Sequence, residues 1–499
     1  MELDPDIQAA EELNTFLSRM QVPCTVAVAP DKGKHVCATA DVEAEAELLE
    51  EVPLVSWPTA DLTEAAAATA ATAATAPSLY FCFHCLVCEW MTPPGGCAAL
   101  KVAPPLPWVY CPDCLSRFCC ATCVHAAHTC HALLCPYLAA LRAGEAAPEA
   151  PGPRVKGCEV GARFITREAL ARCVGVVLRK IVTILTSQGL TAAMLAEDYQ
   201  LNHSGAAARS DMLISQLFGH ATAPFNRLLS TADSMAFQGI DFDGQWAPQL
   251  QCYLFQRGKQ VLAAALAGDA PLTAELRPCH QGTDAVAAPP PPPPPAAAAE
   301  AEAAALAAFV LPAASTCWEE EVLLGLLRHR TLHTLLGQLA LNAHAVNDFA
   351  LFLARPPQRP PVDDAAAAAA ALTPFFVKGA GVYSILSAFN HSCEPNLAVR
   401  NCKVTPASAD GNANVYSSDD SSSSADNDSC CSTNHEITLV TTRTIMEGEE
   451  VCISYIPLKS DDTVVQRRAQ LKGYFFNCAC PRCTREEASA AAEATQATE

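Results

Sequence analysis

The sequence predicts an α+β protein: a mostly β core interrupted by a Cys/His-rich metal-binding stretch and a long helical insert. Three observations carry that reading. Short alternating runs bounded by turn residues occur near both ends of the chain, at Cys24 to Val28 and Val36 to Ala40, then at Leu397 to Asn401, Glu436 to Thr442 and Val451 to Tyr455. Between Thr166 and Leu341 the apolar residues fall at helical spacing instead. Cysteines crowd into two places, Cys82 to Cys135 and Cys478 to Cys483.

Composition narrows the function classes. A chain of 499 residues could fill about three average domains. With 32 basic and 53 acidic residues, the formal charge is −21. That argues against direct nucleic-acid binding, which needs clustered Lys and Arg, and suits a basic protein partner. The acidic, polar start MELDPDIQAAEE does not read as a secretory signal, and no uncharged apolar run is long enough for a membrane span. We therefore expect no membrane association and a cytoplasmic or nuclear location, or both. In such a compartment 26 cysteines are expected to stay reduced, and clustered ones point to zinc.

Taken in order, residues 1–21 hold an N-terminal helix, Ile7 to Met20, with Ile7, Leu13, Phe16 and Leu17 on one side. Residues 22–63 form the first β piece, turning at Pro30-Asp31-Lys32-Gly33 and running on through Leu48 to Leu54. An Ala/Thr-rich linker, 64–77, leads into the Cys/His region at 78–136. There Cys82-x2-Cys85, Cys111-x2-Cys114, Cys119-x3-Cys123 and His131-x3-Cys135 supply eight ligands, enough for two tetrahedral sites. His84, Cys88, Cys97, Cys120, His125, His128 and Cys130 are spare candidates, and an exchange at one position stays open. Residues 137–340 read as helical, with Thr166 to Ser187, Gln249 to Leu266 and Cys317 to Leu341 the clearest segments. Inside them lies a Pro/Ala-rich segment, 285–308, that buries too little to order itself. Asp363 to Ala371 and a Ser/Asp-rich loop at 408–434 read the same way.

Residues 341–456 carry the densest motifs. Gly379-Ala-Gly-Val-Tyr383 leads into Asn390-His-Ser-Cys393-Glu-Pro-Asn396, and Gly448-Glu-Glu-Val-Cys-Ile-Ser-Tyr455 follows. Lys459 to Leu471 reads as a short helix before Tyr474-Phe-Phe476 and Cys478-x-Cys480-x2-Cys483, within a zinc region at 457–486 and ahead of a disordered tail, 487–499. The ordered run NHSCxPN, GEExxISY, CxCxxC resembles the catalytic half of a SET-domain protein lysine methyltransferase. The half-motif C-x3-C-x7-H-x3-C resembles a MYND zinc finger. Together they resemble the SET-and-MYND lysine methyltransferase family, in its divergent branch with an enlarged finger and no long C-terminal helical domain. The resemblance is firm over Cys82 to Cys135 and Gly379 to Cys483.

What the resemblance implies is specific. The fold would be a mostly β SET core split by a MYND finger and a helical insert, with a cysteine-rich post-SET tail. S-adenosylmethionine would contact Gly33, Lys34 and His35 (where the family's G-x-G loop has a second glycine in place of His35), with Asn390, His391, Tyr455 and Phe476. Tyr455 would be the catalytic residue, and Tyr383 and Tyr474 further aromatic candidates for the channel or the adenine. The finger's sites would interleave: Cys82 and Cys85 with Cys119 and Cys123, Cys111 and Cys114 with His131 and Cys135. Cys393 would complete a third site with Cys478, Cys480 and Cys483, so three structural Zn2+ ions are expected. The chemistry asks for a neutral lysine amine in a desolvated aromatic channel, in line with a sulfonium methyl. The implied partner is a protein substrate, histone or not, with proline-rich peptides as partners of the finger and a monomeric state. Two other readings stand beside it: a silent interaction protein that keeps the SET fold, favoured by His35, and a zinc-held scaffold in a chromatin complex that binds no cofactor.

Overall fold

Helix α1 (Pro5–Arg19) forms because Ala10, Leu13 and Leu17 recur at helical spacing and are buried against the first hairpin. Ile7 and Phe16, expected on the same face, are instead 42% and 38% exposed, and Arg227 lies over the Phe16 ring. The computed structural model describes residues 5–58, 78–91, 108–143, 165–203, 213–231, 240–268, 276–278, 309–348, 376–401 and 435–496. The expected linkers at 64–77, 285–308, 363–371 and 408–434, together with Cys97, lie outside these residues.

Strands β1 (Cys24–Ala29) and β2 (Gly33–Ala38) pair as a hairpin whose turn ends at Gly33, with φ +63°. β3 (Glu47–Glu51) and β4 (Val55–Pro58) follow. The Cys/His module holds β5 (Ser78–Phe81), β6 (Cys88–Met91), β7 (Val109–Tyr110) and β8 (Arg117–Phe118), then α2 (Ala121–Ala143). The insert contributes α3 (Arg167–Ser187), α4 (Ala192–His203), α5 (Leu213–Asn226), α6 (Ala247–Ala267), β9 (Arg277–Pro278), α7 (Trp318–Leu327) and α8 (His329–Asn342). Core strands then resume with β10 (Ala343–Asp348), β11 (Phe376–Val382), β12 (Asn390–His391), β13 (Leu397–Asn401), β14 (Ile437–Thr441) and β15 (Glu450–Ile453). Helices α9 (Val464–Leu471) and α10 (Pro481–Gln496) close the chain.

The β core is three small sheets that join both ends of the sequence. Their orders are β1-β2-β15-β12, β10-β11-β4 and β13-β14-β3. Strand β4, before the insert, pairs with β11 after it, Trp57 opposite Ala380. One hydrophobic cluster fills the sheets β1-β2-β15-β12 and β13-β14-β3 against α1, and another runs continuously through the Cys/His module, the helices and strands β4 and β11. Helix α3 is buried on nearly all sides, and its Thr166 cap accepts the Ala169 N–H at 3.0 Å.

Arg172 on α3 ties the three parts together. Its guanidinium donates to the Ser56 carbonyl of β4 at 3.0 Å and to the Phe83 carbonyl of the module at 2.6 Å. It also pairs with Glu168 at 2.7 Å and lies 4.1 Å from the Phe83 ring centre.

Several sequence expectations change. Cys317 to Leu341 is not one helix, because Arg328 has extended backbone (ψ 141°) that separates α7 from α8. Helix α2 runs through residue 136, where the finger was expected to end. The tail expected to be disordered from residue 487 is helical to Gln496; its Ala, Glu and Gln residues are strong helix formers.

Candidate active site and metal centres

The site is built where β12 and β15 lie parallel, Asn390 opposite Cys452 and His391 opposite Ile453. Its approach is set by Glu51, whose two carboxylate oxygens accept the backbone N–H groups of Ile385 and Leu386 at 2.7 and 2.8 Å. This fixes the 3-10 turn Leu386–Ala388 and so aims Phe389 and Asn390. Burial pushes the Glu51 carboxyl up to about 7 against those bonds. From the other side, Asn396 Oδ1 accepts the Cys452 N–H at 2.8 Å, and Asn396 Nδ2 donates to the Glu450 carbonyl at 2.9 Å.

His391, Tyr455 and Phe476 come together, and Asn390 precedes His391 on β12 with its amide turned to Lys32 and Glu450. The Tyr455 hydroxyl donates to the Phe389 carbonyl at 2.7 Å, and its backbone N–H donates to His391 Nδ1 at 3.0 Å. Burial raises the phenol's pKa, with Tyr474 adding to the effect, so the hydroxyl keeps its proton. Burial lowers His391 to about 4, with the Arg467 charge a further cause. Around Tyr455 the ring centres of Tyr474, His391 and Phe476 lie at 5.0, 5.5 and 6.3 Å. Phe476 is 37% exposed, so this aromatic cluster opens to solvent. Phe475 before it has φ +60°, an uncommon value for an aromatic residue that turns the chain so that Phe476 returns to the cluster. Aromatic faces with a converging carbonyl suit a cationic ligand.

Gly33 to His35 run beside Asn390, whose Nδ2 donates to the Lys32 carbonyl at 3.3 Å and to Glu450 at 3.1 Å. Lys34 does not point into this site. Its ammonium is buried, donating to the Arg227 carbonyl at 2.6 Å and facing Asp6 at 3.4 Å, because side chains alternate along β2. The His35 ring folds back to the Gly33 carbonyl at 3.2 Å. Tyr383 is also displaced from the expected channel: it is fully buried and its hydroxyl donates to the His435 carbonyl at 2.6 Å.

Three groups have donor atoms close enough to hold a metal ion: Cys82, Cys85, Cys119 and Cys123; Cys111, Cys114, His131 and Cys135; Cys393, Cys478, Cys480 and Cys483. Sulfur separations are 3.6 Å for Cys85–Cys119, 3.6 Å for Cys119–Cys123, 3.7 Å for Cys111–Cys135, 3.6 Å for Cys393–Cys483 and 3.8 Å for Cys393–Cys478. Zinc–thiolate bonds of about 2.3 Å in a tetrahedron place sulfurs about 3.8 Å apart, so the donor sets fit zinc. The Cys82-x2-Cys85 and Cys111-x2-Cys114 turns are built alike. Leu86 and Leu115, each just after the second cysteine, have φ +58° and +57°, and each N–H returns to the carbonyl of the first. Among the spare residues, Cys130 packs against Gly175 of α3, which explains its burial without a metal. The side chain of Cys88 lies outside the described residues.

The SET domain family model matches residues 33–456, most of the chain. This chain belongs to the SET-domain family. Its curated relatives are distant. A "SET and MYND domain-containing protein" of Dictyostelium discoideum is 29% identical over 110 residues, 22% of this chain and 15% of the relative. "Histone-lysine N-methyltransferase ASHR2" of Arabidopsis thaliana is 34% identical over 107 residues, 21% of each chain. "Protein-lysine N-methyltransferase SMYD4" of Homo sapiens is 30% identical over 107 residues, 21% of this chain and 10% of the relative. The matched stretch thus spans about a tenth to a fifth of the relatives' length. No described helix of this SET-domain protein is long and apolar enough to cross a membrane.

Three residues that sequence reasoning gave no role shape this SET-domain site: Glu51, Asn396 and Arg467. Asn396 ends the motif that begins at Asn390, so its position was a usable signal. Arg467 was hidden in a polar helix; it is fully buried, bonds Glu486 at 2.8 Å and reaches Cys483 Sγ at 3.5 Å.

Proposed function

We propose that this protein is a protein-lysine N-methyltransferase dependent on S-adenosylmethionine, with Tyr455 as its catalytic residue. One observation carries the reading: His391, Tyr455 and the half-open ring of Phe476 converge next to Asn390 of β12, within a SET-domain frame. Bound S-adenosylmethionine supplies an electrophilic methyl on a cationic sulfur. Asn390, with the backbone of Gly33 to His35, and His391 would hold it, and Phe476 would cover one face. The Tyr455 proton is committed to the Phe389 carbonyl, so its oxygen lone pairs are left to accept from an incoming amine and orient it. Tyr455, Tyr474 and Phe476 line that point, and a bound cofactor and substrate would close it to water, which favours the neutral amine needed for attack.

The Cys82 to Cys135 module reads as a MYND finger with two interleaved zinc ions, and Cys393, Cys478, Cys480 and Cys483 as a post-SET site with a third. All are structural, since four protein ligands leave no open position. The substrate is a protein with an accessible lysine, histone or non-histone; relatives with histone-lysine and protein-lysine methyltransferase names support the class. Proline-rich peptides on the finger, a monomeric state and a cytoplasmic or nuclear location complete the proposal. Transfer of labelled methyl from S-adenosylmethionine to proteins of a cell extract tests it. Labelling by the wild type that Tyr455→Phe abolishes supports the reading; equal labelling by both contradicts it.

One feature favours a second reading, a silent interaction protein. His35 stands where a glycine would let the backbone approach a ligand closely, and its ring occupies the Gly33 carbonyl. A folded, zinc-loaded protein that binds no S-adenosylmethionine would select this alternative.

A further inference from the structure

We propose that His391 is a positioning residue that couples Tyr455 to the third cysteine cluster, so that metal on Cys393 sets the backbone carrying the catalytic tyrosine. This rests on the methyltransferase reading of the same site.

The imidazole lies between two groups. The Tyr455 backbone N–H donates to Nδ1 at 3.0 Å, and Nε2 is 3.3 Å from Cys393 Sγ. An amide N–H is always a donor, so Nδ1 must keep its lone pair. A ring with one bare nitrogen carries its single proton on the other, and Nε2–H must therefore donate to the sulfur. A thiolate accepts such a bond well. A thiol accepts weakly, and its own S–H competes for a bare ring nitrogen. Cys393 is a thiolate when it ligates a metal. The two bonds of His391 are mutually consistent in the metal-loaded protein, and the metal-free protein loses the acceptor that holds the ring.

The surroundings support a cluster that gathers negative charge. Arg467 Nη2 lies 3.5 Å from Cys483 Sγ, so a second of the four sulfurs has a charged N–H beside it. Tyr455 in turn is held at both ends by the segment that supplies Cys393: its hydroxyl by Phe389 and its N–H by His391. Partners of this kind orient metal ligands in many sites; here the orientation passes outward to a residue that binds no metal.

The test uses the zinc-loaded full chain with 15N-labelled histidine, read by NMR, and amide exchange at Tyr455. The expected His391 tautomer is Nε2–H. Cys480→Ser, which removes one ligand of this cluster alone, should lower bound zinc by about one equivalent and speed Tyr455 amide exchange about tenfold, the loss of one hydrogen bond. His391→Phe should give the same faster exchange with zinc content unchanged at saturating Zn2+, and the double variant should be no faster than either. An Nδ1–H tautomer, exchange unmoved by Cys480→Ser, or additive effects would overturn the proposal. If Cys480→Ser does not fold, the tautomer of the intact protein decides. None of these readouts involves methyl transfer. A protein with the coupling but no activity would defeat the methyltransferase reading and leave the coupling in place.

Discussion

Asn396 Oδ1 accepts the backbone N–H of Cys452 at 2.8 Å, clasping two motifs that lie far apart in the sequence. The same side chain donates to Glu450 and Glu449, at 2.9 and 3.1 Å, and is 2% exposed. It is the bracket that sets β15, and hence Tyr455, against the NHSC segment. Asn396→Ala strands a half-buried N–H and a carbonyl, so it should destabilise the fold by about 2–4 kcal/mol. Asn396→Asp keeps the acceptor but opposes an oxygen to the Glu450 carbonyl, and should be no better. Denaturant midpoints of the two variants check this.

Glu51 makes stability depend on pH in an unusual direction. Its folded pKa is raised from 4.5 to about 7, so between those values the folded state holds a proton that the unfolded state has lost. The contribution is fully present below about pH 4.5 and is lost as pH rises through about 7, on the order of 3 kcal/mol. Glu51→Gln should flatten that decline. Chemical denaturation at a series of pH values from 4.5 to 8, wild type against variant, measures it.

The metal sites predict a stoichiometry. Zinc-loaded protein should hold about three equivalents by elemental analysis. His131→Ala should lower this by about one equivalent and loosen the Cys/His module. Cys130→Ser and Cys120→Ser should leave zinc content unchanged, because neither sulfur belongs to a four-donor group among the described residues.

Arg172 should be the main fastener between the Cys/His module, the insert and the β core. Arg172→Met removes its bonds to Ser56 and Phe83 and leaves Glu168 without its partner. A loss of about 3–5 kcal/mol is expected, as for one half of a buried ion pair. Thermal unfolding of the zinc-loaded variant, with zinc still fully bound before the transition, would show the loss to be in docking.

What the sequence made legible follows from how local the signals are. Cys-x2-Cys turns set two ligands by their own backbone, so all twelve cysteines and histidines expected to ligate metal fall into the three groups the structure brings together. The strands expected at Leu397 to Asn401, Glu436 to Thr442 and Val451 to Tyr455 were likewise readable from their alternation, and appear as β13, β14 and β15, the last ending at Ile453. Glu51 was not, because its partners Ile385 and Leu386 lie in a segment far along the chain and leave no local pattern. Tyr383 misled for a related reason: an aromatic just before the Asn390–Asn396 motif can equally fill the core, and its bond to His435 puts it there. Lys34 shows the limit of carrying a loop's role to each side chain, since the β2 pleat turns its ammonium toward Asp6 and Arg227.

Calorimetric titration of the zinc-loaded protein with S-adenosylmethionine, beside Asn390→Ala, tests the central claim most directly. The account predicts one site of micromolar affinity in the wild type, lost in the variant. A folded, zinc-replete wild type that gives no binding heat and no protection from thermal unfolding would contradict it.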